Sequence, residues 1–219
     1  MASSACVVAL GSGASHALNL LLRTGGLPAT VIAANTDVQD LRRSLSPTKL
    51  QLGASVVRGL GCGGDAEVGR DAALADREPI AQALAGAELV IVLAGLGGGT
   101  GSGAAPVVCG VASDLGIPAI AVVTLPFPFE GRRRRRVADE ALVALRQAAD
   151  GRVVVADTPV PPEGGERPPM QALFARSDAS VAAIVRAATD IAAGGTGGDE
   201  LEPGLLTVLR GHLARPARH

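Results

Sequence analysis

Apolar positions fall along this chain in two alternating rhythms. Short unbroken runs at residues 6–10, 30–34, 89–93, 118–123 and 153–156 are rich in Val and Ile, and each predicts a buried strand. Between the runs, apolar residues return at helical spacing. Ala17, Leu18, Leu21 and Leu22 share one face, and helices are predicted over residues 38–45, over 102–115 with a stop at Gly116, and over 170–193. In the last of these, Leu173, Phe174, Val181, Ile184, Val185 and Ile191 lie on one side. Pro79 predicts the start of the second half of a broken helix. Strands alternating with helices, joined by small-residue turns, predict an α/β fold: a parallel sheet wrapped by helices on both faces.

The turns carry the candidate chemistry. The strand Leu89, Val90, Ile91, Val92, Leu93 empties into Gly95, Gly97, Gly98, Gly99, Thr100, Gly101, Ser102 and Gly103 before the next helix. Glycines let backbone come close to an anion, the N–H groups at a helix start point at it, and Thr100 and Ser102 add hydroxyl donors. A phosphate chain is the natural ligand. The loop lacks the lysine of a Walker A sequence, and the competing reading is a glycine-rich turn without a ligand. The first strand ends in a similar turn, Gly11, Ser12, Gly13, Ala14 and Ser15, again at a helix start. The second runs into Asn35, Thr36, Asp37, where open α/β sheets place ligand groups and where Asp37 can also cap the next helix. Residues 49–69 hold Gly61, Gly63 and Gly64 in a flexible turn between helices, with Asp65 placed to cap the helix that follows. Asp76, Arg77 and Glu78 read as a solvated face, and Arg132 to Arg136 as cations at a helix start, which the dipole there disfavours unless an anion is near.

Composition narrows the class. At 219 residues and 47% hydrophobic the chain can bury one full α/β core, and with no Trp, no Tyr and three Phe that core must be aliphatic. A net charge of -1 argues against general nucleic-acid binding. Cys6, Cys62 and Cys109 are few and scattered, which fits small buried fillers in a reducing cytoplasm. No basic n-region precedes the first apolar run, and no run approaches membrane-spanning length.

The string GGGTGSG over residues 97–103 resembles the signature of the tubulin and FtsZ GTPases, and four other stretches resemble that family in order. These are the turn at 11–15, the ANTD string at 34–37, the stretch 49–69 and VVTLPFPFEG at 122–131. The resemblance implies a Rossmann-like GTPase domain over residues 1–193, ending in a long central helix, that binds GTP or GDP with Mg2+. It implies phosphate contacts at Gly11, Ser12, Gly13, Ala14, Gly97, Gly98, Gly99, Thr100, Gly101, Ser102 and Gly103. Asn35 and Asp37 would form a second nucleotide loop, and Gly63 and Gly64 the loop that senses the terminal phosphate. Glu130 would meet the ribose and Arg134 the nucleotide. Asp178 or Asp157 would select guanine, whose N1 and N2 hydrogens a carboxylate can accept together. His16 stands where the family usually has Asn.

Beyond residue 193 the resemblance stops. Residues 194–219 read as a Gly-rich linker and a short amphipathic segment around Leu205, Leu206, Leu209 and Leu213. The family's catalytic loop inserts acids into the next subunit's pocket. Aligned on that loop, its key places fall on Asp199, Leu201 and Gly204, so both acidic positions are lost; Asp199, Glu200 and Glu202 remain as nearby candidates, with an exposed acidic linker as the competing reading. Two functions follow as expectations. One is a cytoplasmic GTP-binding protein of the cell-division and cytoskeletal type, which hydrolyses GTP with a second subunit, either a copy of itself or a full-length FtsZ-type protein. The other is a non-hydrolysing interaction protein that caps or modulates a filament.

Overall fold

The computed structural model describes residues 5–156, 168–197, 201 and 203–214. Six parallel strands form one sheet in the order β3-β2-β1-β4-β5-β6. They are β1 (Ala5–Leu10), β2 (Thr30–Asn35), β3 (Thr48–Gln51), β4 (Leu89–Gly95), β5 (Ala119–Thr124) and β6 (Val153–Val155). In β1, β2, β4 and β5 the unbroken apolar runs are explained by burial on both faces, whereas β6 lies at an edge with only Val154 buried. In β1, Cys6, Val8 and Leu10 enter one core layer while Ala5, Val7 and Ala9 enter the other.

Helices α1 (Gly11–Arg23) and α2 (Val38–Arg43) cover the second of these faces, together with α8 (Met170–Ala192) and α9 (Pro203–Leu213). The first face is covered by α4 (Ala66–Ala75), α5 (Arg77–Leu84), α6 (Gly99–Asp114) and α7 (Arg132–Ala148), while α3 (Ala54–Val57) is a single turn beside α4. The carboxylate of Asp37 caps α2 by accepting from the N–H groups of Gln39 and Asp40, and Asp65 caps α4 in the same way through Glu67 and Val68. Leu209 of α9, which packs on α8, is fully buried in the second core layer, with Leu205 and Leu213 packed against the same layer.

Several sequence expectations are corrected. Strand β3 was not foreseen, because as an edge strand it is half-exposed and only Leu50 packs on the core. Helix α2 stops at Arg43 rather than Leu45. Helix α6 starts at Gly99, three residues before Ser102, so the glycine turn is shorter than its glycine content suggests. The solvated face at 76–78 is partly engaged: Asp76 accepts from the Gly53 N–H at 2.5 Å, and Arg77 pairs with Asp114. Phe174 does not join the buried face of α8. It is 40% exposed and packs on Phe127 and Phe129 instead.

Candidate functional site

Strand order reverses between β1 and β4, because α1 leaves β1 on one face of the sheet and α6 leaves β4 on the other. Such a reversal opens a crevice outside the carboxyl ends of the two strands. Both helices begin almost at the strand end, α1 at Gly11 and α6 at Gly99, and neither carries an acid in its first turn. Their starts touch: a Cβ on Gly11 would lie 3.3 Å from the Thr100 Cβ, and one on Gly13 3.9 Å from the Gly95 Cα. Unsatisfied N–H groups and the positive ends of two dipoles therefore face one space. Gly11 (φ +77°) and Gly97 (φ +93°) hold left-handed conformations that side chains disfavour, whereas Gly98 has open space beyond it, its nearest neighbour being the Arg134 guanidinium at 4.0 Å.

The remaining glycines of the run serve packing. A Cβ on Gly99 would lie 2.8 Å from the Asp65 carbonyl oxygen, and one on Gly103 2.7 Å from the Gly69 carbonyl carbon, so α6 meets α4 backbone to backbone. The hydroxyls of Thr100 and Ser102, expected to face a ligand, are turned into the protein. Ser102 Oγ accepts from the Gly97 N–H at 2.8 Å, and Thr100 Oγ1 lies 2.7 Å from Thr36 Oγ1. Both residues are buried. Ser12 donates its hydroxyl to the Asp40 carboxylate.

On the β2 side, Asn35 is only 2% exposed. Its Oδ1 accepts from the Asp37 N–H at 3.1 Å and from the Thr100 hydroxyl at 3.4 Å, while its Nδ2 has no partner. A buried donor left unpaired is a group that a ligand acceptor would satisfy. The loop of residues 58–64 closes this side. It is anchored by Gly61 N–H to the Thr36 carbonyl (3.2 Å) and by Val38 N–H to the Gly59 carbonyl (3.1 Å). Gly63 and Gly64 hold positive φ with nothing near them. Cys62 is not the buried filler expected from the sequence: it is half-buried, and its thiol donates to Thr36 Oγ1 at 3.1 Å.

Across the crevice, Glu130 accepts from the Phe127 N–H at 2.9 Å and pairs with Arg134 Nε at 3.2 Å. The Arg134 carbonyl would lie 2.8 Å from a Cβ on Gly97, which brings this arginine to the glycine turn. Arg135 and Arg136 pair along the surface with Asp139 and Glu140. Further out, all three phenylalanines of the protein meet, Phe127 stacked on Phe129 (5.1 Å) and edge-on to Phe174 (5.2 Å). Sequence reading missed this cluster, although its rarity in a chain with no Trp and no Tyr was a usable signal. One turn along α8 from Phe174 is Asp178. Burial pushes its carboxyl above the ordinary carboxylate range, and the charge of His16 on α1 draws it part of the way back. Asp157, Asp199, Glu200 and Glu202 lie outside the described residues.

The sequence pattern of the tubulin/FtsZ family GTPase domain matches residues 17–158. The chain belongs to the tubulin/FtsZ family. Among relatives, cell division protein FtsZ of Pseudomonas aeruginosa is 43% identical over 185 residues, covering 84% of this chain and 47% of that protein. FtsZ of Pseudomonas putida is 42% identical, with 84% and 46% covered. The chain thus spans about half the length of the curated relatives it matches. Among solved structures, the empty FtsZ dimer of M. jannaschii matches with a TM-score of 0.80 at 33% identity, over 88% of this chain and 56% of that one. The W319Y mutant of the same FtsZ matches at 0.81 and 31%, over 94% and 62%. The parallel sheet wrapped by helices on both faces is the fold of this family, as the sequence predicted, with β3 as the one strand added.

Proposed function

We propose that the chain binds GTP or GDP with Mg2+ in the crevice outside β1 and β4. The observation that carries this reading is the meeting of two glycine-started helices, with no acid in either first turn, at the reversal of strand order. Phosphates would rest on residues 11–14 and 97–103, and the unpaired Asn35 Nδ2 would gain an acceptor from the ligand. Gly63 and Gly64 would follow the terminal phosphate. Glu130 and Arg134 would meet ribose and nucleotide, and the half-exposed Phe129 and Phe174 offer ring faces to a purine. Asp178, and Asp157 in the segment outside the described residues, would accept from the guanine N1 and N2 hydrogens, a donor pair that adenine lacks.

The residues present fit Mg2+ held mainly by phosphate oxygens and water. Among the described residues no three acid, His or Cys side chains converge, and Asp37, Asp40 and Asp65 are each engaged locally. When bound, the ion neutralises phosphate charge. Residues 1–193 would form the nucleotide-binding unit and 194–219 an appended tail, in a cytoplasmic protein of the cell-division and cytoskeletal type. Phosphoryl transfer depends almost wholly on positioning. We therefore assign completion of the hydrolytic site to a second subunit, a copy of this chain or a full-length FtsZ-type protein.

One observation favours the second reading, a non-hydrolysing protein that modulates or caps a filament. Asp40 sets a carboxylate on Ser12, in the turn where a phosphate would lie. Purified protein should be denatured and its released nucleotide resolved by ion exchange. Near one GDP or GTP per chain is expected; none, with no rebinding of added GTP, overturns the reading. GTP turnover with and without a full-length FtsZ-type partner then separates the two functions, since only the first predicts a rise.

A further inference from the structure

The three cysteines occupy different chemical settings. Cys6 and Cys109 are buried in the first core layer, where burial pushes their thiols up to about 11 and about 12. A thiol reacts as its thiolate, so these two are inert. Cys62 sits on the 58–64 loop at the mouth of the crevice, half-buried. Its sulfur donates to Thr36 Oγ1 at 3.1 Å and lies 3.8 Å from Thr100 Oγ1. Thr100 in turn donates to Asn35 Oδ1, and Asn35 carries the unpaired, 2% exposed amide nitrogen that independently marks this cluster as the place of a ligand.

We propose that Cys62 is a thiol-modification site that gates the nucleotide crevice, capped by a small disulfide such as oxidised glutathione. The proposal rests on the nucleotide-binding reading above. The step is thiol–disulfide exchange. The Cys62 thiolate, its proton released to solvent, attacks one sulfur of the disulfide. A new S–S bond forms, the old one breaks, and the second half leaves as a thiolate. No further oxidant is needed.

The consequence follows from packing. A Cβ placed on Gly99 would be 2.5 Å from the Cys62 Cβ, so this side chain already lies against the first residue of α6. A tripeptide-sized cap cannot be added to the sulfur while the Thr36 and Thr100 hydroxyls hold it. The loop must swing outward, breaking the Gly61 to Thr36 and Val38 to Gly59 hydrogen bonds. Gly63 and Gly64, with open space around them, supply the hinge. The swing removes the wall of the crevice beside Asn35 and Thr100. A nucleotide already in place would hold the loop closed and shield the sulfur.

The test uses the full chain. GTP affinity is measured for reduced protein, for protein treated with oxidised glutathione, and after reversal with dithiothreitol, while peptide mass spectrometry locates the adduct with and without saturating GTP. The expected result is an adduct on Cys62 and not on Cys6 or Cys109, slower capping with GTP present, and an affinity loss of about tenfold or more that dithiothreitol restores. Cys62→Ala should show no change on treatment relative to its own untreated state. Capped protein that binds GTP as well as reduced protein overturns the gate and leaves the nucleotide reading intact. So does capping that GTP fails to slow, or a Cys62→Ala protein that still loses affinity on treatment. Reduced protein that binds no GTP overturns both.

Discussion

Asn35→Ala separates the pocket from the scaffold. In the ligand-free protein the buried Nδ2 is unpaired, and an unsatisfied buried donor costs about 1–3 kcal/mol. Removing the side chain abolishes that cost. It also removes two hydrogen bonds accepted by Oδ1, at 3.1 Å from Asp37 and at 3.4 Å from Thr100, each worth about 0.5–1.5 kcal/mol. The opposing terms nearly cancel, so the nucleotide-free variant should unfold within about 1 kcal/mol of the parent. Affinity behaves differently. A ligand acceptor on Nδ2 relieves the whole desolvation cost on binding, and its loss should weaken GTP and GDP by about 1–3 kcal/mol, about 5- to 150-fold. Urea unfolding without nucleotide and titration calorimetry with both nucleotides supply the two numbers. A variant that loses several kcal/mol of stability yet binds as tightly as the parent would refute the reasoning, because Asn35 would then be a structural residue only.

Leu209→Ala should cost about 2–5 kcal/mol in urea unfolding, since Leu209 is fully buried in the second core layer where α9 packs on α8; an unchanged midpoint would mean that α9 does not dock. Asp178 has a folded pKa above its ordinary 3.8, so the stability it contributes is full below that value and is lost as pH rises through the raised one. Asp178→Asn should flatten the stability profile in that window, raise stability at neutral pH and reduce the preference for GTP over ATP in competition binding; an unaltered profile refutes the burial argument. Gly103→Ala sets a Cβ against α4 backbone and should cost about 1–3 kcal/mol or more in thermal unfolding, whereas Gly98→Ala meets only the Arg134 guanidinium at 4.0 Å and should leave stability within about 0.5 kcal/mol while weakening nucleotide binding. Equal stability losses in the two glycine variants would show that the run is structural throughout.

Four of the six strands, β1, β2, β4 and β5, were legible because they are buried on both faces, and double burial writes an unbroken apolar run into the sequence; the edge strand β6 was legible because its three residues are all valine. The sixth, β3, lies at the sheet edge with half-exposed residues and a single core contact from Leu50, so no run exists to be read. Helix starts were legible where a carboxylate caps them, as at Asp37 and Asp65. The start of α6 was misplaced because it is capped by no side chain and opens with glycines, which local propensity assigns to a turn. Contact with α4 overrides that propensity.

The same glycine run shows why the site was read in outline and not in detail. A glycine is required when the backbone takes a left-handed conformation, when another backbone lies against it, or when a ligand must approach, and one letter records all three. Gly97 meets the first need and Gly99, Gly101 and Gly103 the second, whereas Gly95, Gly98 and, in the turn after β1, Gly13 meet neither. The hydroxyls divide likewise: Thr100 and Ser102 tie the turn to β2 and to its own backbone, which is what fixes the helix start in place. Sequence spacing could find the glycine turn at the helix start, because strand, glycines and helix are local. Asn35 was legible too, from its place at the end of β2, but its neighbours Cys62 from the 58–64 loop and the phenylalanines from the β5 turn and α8 come together only through the order of strands. A residue whose partner is set by topology has no signature in its neighbours. Those residues are accordingly where the variants above have most to decide.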